Sequence, residues 1–162
     1  MLIDTHTHLY SSKFDEDRDS VIQNCLDNNI LKLLLPNIDS EYIDSLLSLA
    51  KKYPTVCYPM MGVHPCSIEP GTYESELRHA KDWLDKEKFI AVGEIGIDLY
   101  WDKSTLEIQQ FAFREQISWA KEKKLPIVIH ARDSFDEIFE IVDDMNDENL
   151  KGIFHCFTGN QK

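Results

Sequence analysis

The chain has 162 residues, 43% hydrophobic and 28% charged with six glycines and six prolines, which excludes disordered and fibrous classes and predicts one folded domain over residues 1–162. Its apolar runs, such as 126–129, fall far short of the roughly 18 to 20 residues of a membrane-spanning helix, and its first residues lack the features of a secretory signal, so a cytoplasmic location without membrane contact is expected. Seventeen basic against twenty-nine acidic residues give a formal charge of −12, which excludes a broad electrostatic footprint on DNA. A nucleic-acid enzyme stays open, because bound divalent cations reverse the field where a phosphate sits.

Short aliphatic or β-branched runs alternate with stretches of helical period along the chain. Residues 2–8 make the first run, and residues 15–29 follow with Val21, Ile22, Cys25 and Leu26 at helical spacing. The second run, 31–38, precedes Ser40, which the pattern casts as a helix N-cap ahead of Ile43, Leu46, Leu47 and Ala50. That helix should stop near Tyr53 and Pro54. Residues 56–63 form a third run, 72–87 a third helix, 89–97 a fourth run and 104–124 a long fourth helix. The fifth run is 126–130, a fifth helix spans 134–145, and the sixth run is 152–157. Cys25, Cys57, Cys66 and Cys156 form no C-x-x-C pair, which suits reduced packing thiols better than a disulfide frame or a zinc knuckle.

Six runs and five helices, with no linker or low-complexity tract between them, predict an α/β fold. The runs are nearly all apolar, as strands of a parallel sheet covered on both faces are. An open doubly wound sheet and part of an eight-stranded (β/α) barrel both fit this pattern. No G-x-G-x-x-G follows the first run, which removes the main mark of a dinucleotide fold and favours the barrel. About six βα units are present, against eight in a complete barrel.

Chemistry-bearing residues gather at the C-terminal ends of the runs, the face that carries the active site in a barrel. His6 and His8 close the first run, and a spacing of two in a strand turns both imidazoles to one side. His64 closes the third run, in Gly62-Val63-His64-Pro65. Glu94 lies within the apolar fourth run, where an unpaired carboxylate is costly to bury. His130 ends the fifth run, with Arg132 and Asp133 just beyond, and His155 ends the sixth. His79 sits in a charged helical stretch and is expected on the surface. Taken singly, a strand histidine reads as a hydrogen-bonded core residue, and Glu94 as the partner of a buried arginine. Together His6, His8, Glu94, His130 and His155 converge on one mouth, with nitrogen and oxygen donors suited to Zn²⁺ or Mn²⁺.

Five segments carry a family resemblance: Ile3-Asp4-Thr5-His6-Thr7-His8-Leu9, Gly62-Val63-His64-Pro65, Gly93-Glu94-Ile95-Gly96-Ile97-Asp98, Ile129-His130-Ala131-Arg132 and His155-Cys156-Phe157-Thr158-Gly159. In these segments and their order the chain resembles the TatD family of metal-dependent hydrolases over residues 1–159. The resemblance implies a TIM-type barrel with one or two divalent ions per site, Zn, Mg or Mn, that hydrolyses phosphodiester bonds in DNA, some members being 3′-to-5′ exonucleases. It implies that His6 and His8 hold one ion, that Glu94 bridges two as the catalytic carboxylate, and that His130 and His155 hold the second. DNA is then the substrate, and no protein partner is implied. The family closes its metal site with an aspartate in a Thr-Asp-x-Pro segment on a later strand, whereas this chain has no aspartate after Asp147. A whole barrel takes roughly 250 residues, so with two βα units absent the first and sixth strands should expose apolar edges. A fragment of a longer protein, two copies completing one another and a degenerate product are the three readings of that shortfall.

In such a site two ions roughly 3.5 to 4 Å apart clamp a phosphodiester and draw the nucleophile from water, which fits the absence of a G-x-S-x-G motif. His64 and Arg132 are the expected phosphate contacts, with His64 reading equally as a loop brace. Asp98 reads as orienting a ligand or as an ordinary loop acid. Tyr100 and Trp101 read as a stacking surface for a base or as aromatics packed over a helix end. Cys156 should face outward. A hydrolase of small esters, amides or lactones and a catalytically silent truncated product are the alternatives to a nuclease.

Overall fold

The computed structural model describes residues 1–159. Chain order is β1 (Leu2–Asp4), α1 (Arg18–Asp27), β2 (Ile30–Leu35), α2 (Ile43–Lys52), β3 (Cys57–Pro59), α3 (Tyr73–Lys86), β4 (Val92–Asp98), α4 (Leu106–Lys123), β5 (Ile127–Arg132), α5 (Phe135–Met145) and β6 (Gly152–Phe154). Short 3-10 turns occupy Ser12–Phe14, Ser40–Tyr42 and Pro65–Ser67. The strands pair in parallel as two three-stranded sheets, β1-β2-β3 and β4-β5-β6. A parallel bridge between Met61 and Val92 joins the two, with Met61 N donating to Ala91 O (3.2 Å) and Gly93 N to Met61 O (3.0 Å). The result is an arc of a TIM-type barrel in which the strands follow one another in sequence order, as the βα alternation predicts.

Strand β4 is the centre of this arc, and all seven of its residues are buried. Val92, Ile95 and Ile97 share one core with Phe113 and Ile117 of α4, Ile138 and Ile141 of α5, and Leu33 and Leu35 of β2. Full burial of each such side chain stabilises by about 1.5 to 3 kcal/mol, so the apolar spacing within α2, α4 and α5 fixes their faces against the sheet. Glycine is required at one contact that matters for function. Gly96 has φ 143°, and a Cβ there would lie 2.0 Å from the His130 carbonyl oxygen, so only glycine lets β4 and β5 pair where His130 is displayed.

Several element ends differ from the sequence expectation. β1 stops at Asp4 because its carboxylate accepts from the His6 backbone N–H (3.1 Å) and turns the chain out of the ladder, although Thr7 N still donates to Leu34 O (3.1 Å). α1 starts at Arg18 because residues before it take a 3-10 turn, which Ser11 caps. Ser40 is not the cap of the second helix. Asp39 Oδ1 accepts from Glu41 N (3.0 Å), while Ser40 N and Oγ donate to the two oxygens of Glu76 (2.8 and 2.7 Å) and tie this turn to α3. β6 ends at Phe154, and Cys156 beyond it takes φ 47°. Cys57 is buried as a packing thiol, whereas Cys66 and Cys156 are exposed, Cys66 Sγ lying 3.5 Å from Asp98 Oδ2.

The first and last strands carry the exposed apolar edges expected of an incomplete barrel. Leu2 and Ile3 of β1 are 59% and 46% exposed, and Ile153 of β6 is 51% exposed. No helix among the described residues is long and apolar enough to cross a membrane.

Candidate metal centre

Glu94 lies within β4, 3% exposed, and four imidazoles point at it from three other segments. The β1 loop delivers His6 and His8, whose Nε2 atoms lie 3.0 and 3.8 Å from Glu94 Oε2. The other carboxylate oxygen, Oε1, faces His130 Nδ1 from β5 at 3.0 Å and His64 Nε2 from the β3 loop at 3.7 Å. His155, just past β6, stacks on His6 with ring centroids 3.5 Å apart. One oxygen thus serves a set of His6, His8 and His155, and the other a set of His64 and His130.

Hydrogen bonds assign the tautomers. Tyr10 Oη donates to the Pro36 carbonyl (2.5 Å), so it accepts from His8 Nδ1 (2.7 Å) and leaves a lone pair on His8 Nε2 facing the carboxylate. His130 Nε2 lies 2.9 Å from Asp98 Oδ2, the carboxylate partner that orients a metal-ligating imidazole and leaves Nδ1 towards Glu94. His64 is held differently. Its Nδ1 accepts from the Cys66 N–H (3.1 Å) at the start of the 3-10 turn, so Nε2 carries the proton and acts as a donor.

Burial pushes the Glu94 carboxyl up, but hydrogen bonds from His130 and His6 and the adjacent His64 outweigh it and hold the group well below the usual carboxylate range. Burial lowers His8, with His6 adding to it, takes His64 down to about 4, and lowers His155. These three imidazoles are therefore neutral at pH 7. His130 is raised, since its hydrogen bonds to Glu94 and Asp98 overcome its burial.

The donor set fits a divalent cation. An anionic carboxylate facing a neutral imidazole lone pair at 3.8 Å is repulsive unless a positive charge lies between them. His6 Nδ1 is buried without a hydrogen-bond partner. Two atoms each about 2.1 Å from one ion are about 3.0 to 3.4 Å apart, and His6 and His130 both meet the carboxylate at 3.0 Å. Ligand atoms of His6, Glu94 and His155 cluster within 4.8 Å, as do those of His64, Glu94 and His130, where the proton on His64 Nε2 leaves Glu94 and His130 as the donors to an ion.

The five expected ligands, His6, His8, Glu94, His130 and His155, meet at one place, though not in the division the resemblance implies. His155 lies against His6, not paired with His130, because the arc curves until the ends of β6 and β1 meet. Asp98 is buried and bonded to His130, which removes its reading as a loop acid. Arg132 lies at the same mouth, exposed, with its guanidinium 3.6 Å from the Tyr100 ring centre. His79 is on the surface, as expected.

Sequence reading missed Asn37, Gln109 and Gln116. Asn37 is fully buried, its N donating to Gly93 O (3.1 Å) and its carbonyl accepting from Glu94 N (3.2 Å). Gln109 bonds both backbone groups of Asp98 (2.8 and 3.1 Å), and Gln116 those of Val63, next to His64 (2.7 and 3.3 Å). The signal was two amides seven apart, on one face of a helix, among apolar neighbours.

The arrangement can be compared with known proteins. The TatD related DNase family matches residues 3–162. An uncharacterized metal-dependent hydrolase of Bacillus subtilis, YabD, is 36% identical over 98% of this chain and 62% of its own length. The 3'-5' ssDNA/RNA exonuclease TatD of Erwinia tasmaniensis is 29% identical over 98% of this chain and 61% of its own. The crystal structure of YjjV, a TatD homolog from Escherichia coli, superposes with TM-score 0.87 at 30% identity, covering 98% of this chain and 61% of that one. The chain thus spans about three fifths of the relatives it matches, 62% and 61% for the two curated ones above. From these matches and the shared fold, this chain belongs to the TatD related DNase family.

Proposed function

We propose that the chain is a metal-dependent phosphodiesterase acting on DNA, with Glu94 shared between two divalent ions. The observation that carries this reading is the division of the carboxylate, one oxygen towards His6 and His8 and the other towards His130. His6, His8, Glu94 and His155 would hold one ion, and Glu94 and His130 the other. When bound, such ions supply a water acidified towards about pH 7 and a positive field for the phosphate, in place of a protein nucleophile. Zn²⁺ and Mn²⁺ suit the imidazole-rich set, and Mg²⁺ is the third candidate.

The chain's own residues do the rest. Asp98 fixes the His130 ring through Nε2. His64, neutral and presenting Nε2–H, donates to a phosphate oxygen, and Arg132 offers charge-assisted donors beside it. Free cysteines suit a reducing cytoplasm. Names of relatives such as ssDNA/RNA exonuclease support the substrate class.

The test is metal content and cleavage together. Purified chain should carry about two divalent ions and hydrolyse single-stranded DNA with added Mn²⁺ or Mg²⁺, and Glu94→Ala should lose both. His64→Ala should keep its metal while kcat/KM falls about 10- to 100-fold, the loss of one hydrogen bond to a charged group. Cleavage of small esters but not DNA would favour the small-substrate reading, and metal binding with silence towards both would favour a catalytically inactive product.

A further inference from the structure

Beyond the metal ligands, the mouth carries an aromatic feature that the proposed hydrolysis does not use. Trp101 is 72% exposed and Tyr100 is 52% exposed, so neither is packed over a helix end. Their rings meet edge to face with centroids 4.8 Å apart, and the Arg132 guanidinium lies 3.6 Å from the Tyr100 ring centre and 5.4 Å from that of Trp101. Among the described residues this guanidinium makes no ion pair.

The backbone fixes this group against the metal centre. Asp98 and Arg132 are register partners in β4 and β5, and Leu99 N donates to Arg132 O (2.9 Å). Tyr100 N donates to Asp98 Oδ1 (3.0 Å), while the other oxygen of Asp98 holds His130. Tyr100 and Arg132 thus each stand two residues beyond a side chain of the site. An open cleft of about 1200 Å³ is lined by Tyr100, Arg132, His130 and His155 together.

We propose that Tyr100, Trp101 and Arg132 form a subsite for one unpaired nucleobase beside the scissile phosphodiester. This rests on the phosphodiesterase reading above. An exposed aromatic face is costly in water and gains by stacking on a base, and it accepts any base because every base has a π-face. The guanidinium adds cation–π attraction to the rings and reaches a phosphate with the same group. A paired base inside a duplex offers no free face, so duplex DNA forgoes this contact.

Single-stranded oligonucleotides with normal terminal residues and with tetrahydrofuran abasic residues at both ends separate the alternatives, tested with the metal-loaded chain. The abasic substrate should show a KM about 5- to 100-fold higher. Trp101→Ala with Tyr100→Leu should bring the two substrates within about twofold, while Trp101→Phe, which keeps a ring, should retain the discrimination. The metal-free chain should show quenching of tryptophan emission by the normal oligonucleotide and not by the abasic one, a signal absent from Trp101→Phe. Equal cleavage of both oligonucleotides by the wild type overturns the subsite and leaves the phosphodiesterase reading standing. Discrimination that survives in the Ala and Leu variant also overturns it. Neither cleavage nor quenching with either oligonucleotide overturns both readings.

Discussion

At the scale of single residues, the centre is a set of imidazoles whose protonation the fold has already decided. Burial takes His64 to about 4, and His8 and His155 are lowered in the same direction. A lowered histidine binds fewer protons folded than unfolded, so its stability is fully present above its ordinary value of 6.5 and is lost as pH falls through the folded one. The metal-free chain should therefore lose stability from pH 6.5 downward, with His64 accounting for up to about 3 kcal/mol by pH 4. His130 has the opposite sign, since its raised value gives stability present below 6.5 and lost as pH rises through that value. His64→Asn keeps an oxygen to cap Cys66 N but cannot titrate, so its urea-unfolding stability in chelator should vary less between pH 6.5 and 4. Parallel curves for wild type and variant would show that His64 does not titrate as its burial requires.

At the scale of elements, α4 holds the site without touching it. Gln116 and Gln109 close the backbone groups of Val63 and Asp98, which the strand ladders leave unpaired at the points where His64 and the His130 partner are presented. Gln116→Leu leaves a buried N–H and C=O without partners and should destabilise the chain by about 2 to 4 kcal/mol. It should also loosen His64 while sparing the His6 side, so kcat/KM on DNA should fall about tenfold at unchanged metal content. Loss of metal in this variant would mean that α4 supports the whole centre instead. The contrast shows what was legible in the sequence. The candidate ligands lay in or just past apolar runs, where each polar residue stood out, and their positions at the run ends announced a common mouth. The glutamines stood on a charged amphipathic helix, where an amide is unremarkable until its partner is known. β1 likewise ended early because of one carboxylate, Asp4, bonding the backbone two residues on, which no hydrophobic period records.

At the scale of the molecule, the arc is open between β1 and β6 along its length, yet His6 and His155 from those two strands stack at its mouth. One half of the centre is therefore built across the open edges, while the other stands on two strands that pair with each other, His130 on β5 inside the ladder and Glu94 on β4 beside it. Leu2, Ile3 and Ile153 on those edges are exposed, and their unpaired backbone groups invite other strands, a tendency that the charge of −12 opposes. A site whose candidate ligands sit on open edges pays more ordering entropy on binding than one on a central strand. Metal titration of the 162-residue chain should accordingly resolve a tighter and a weaker class of site. His130→Ala should remove the tighter and His155→Ala the weaker, by calorimetry or manganese paramagnetic resonance. Replacing Leu2 and Ile153 by lysine should reduce self-association in light scattering and leave the tighter class unchanged. A single class, abolished alike by His130→Ala and His155→Ala, would mean instead that the two halves assemble as one unit and that the mouth closes as firmly as the core of the sheet.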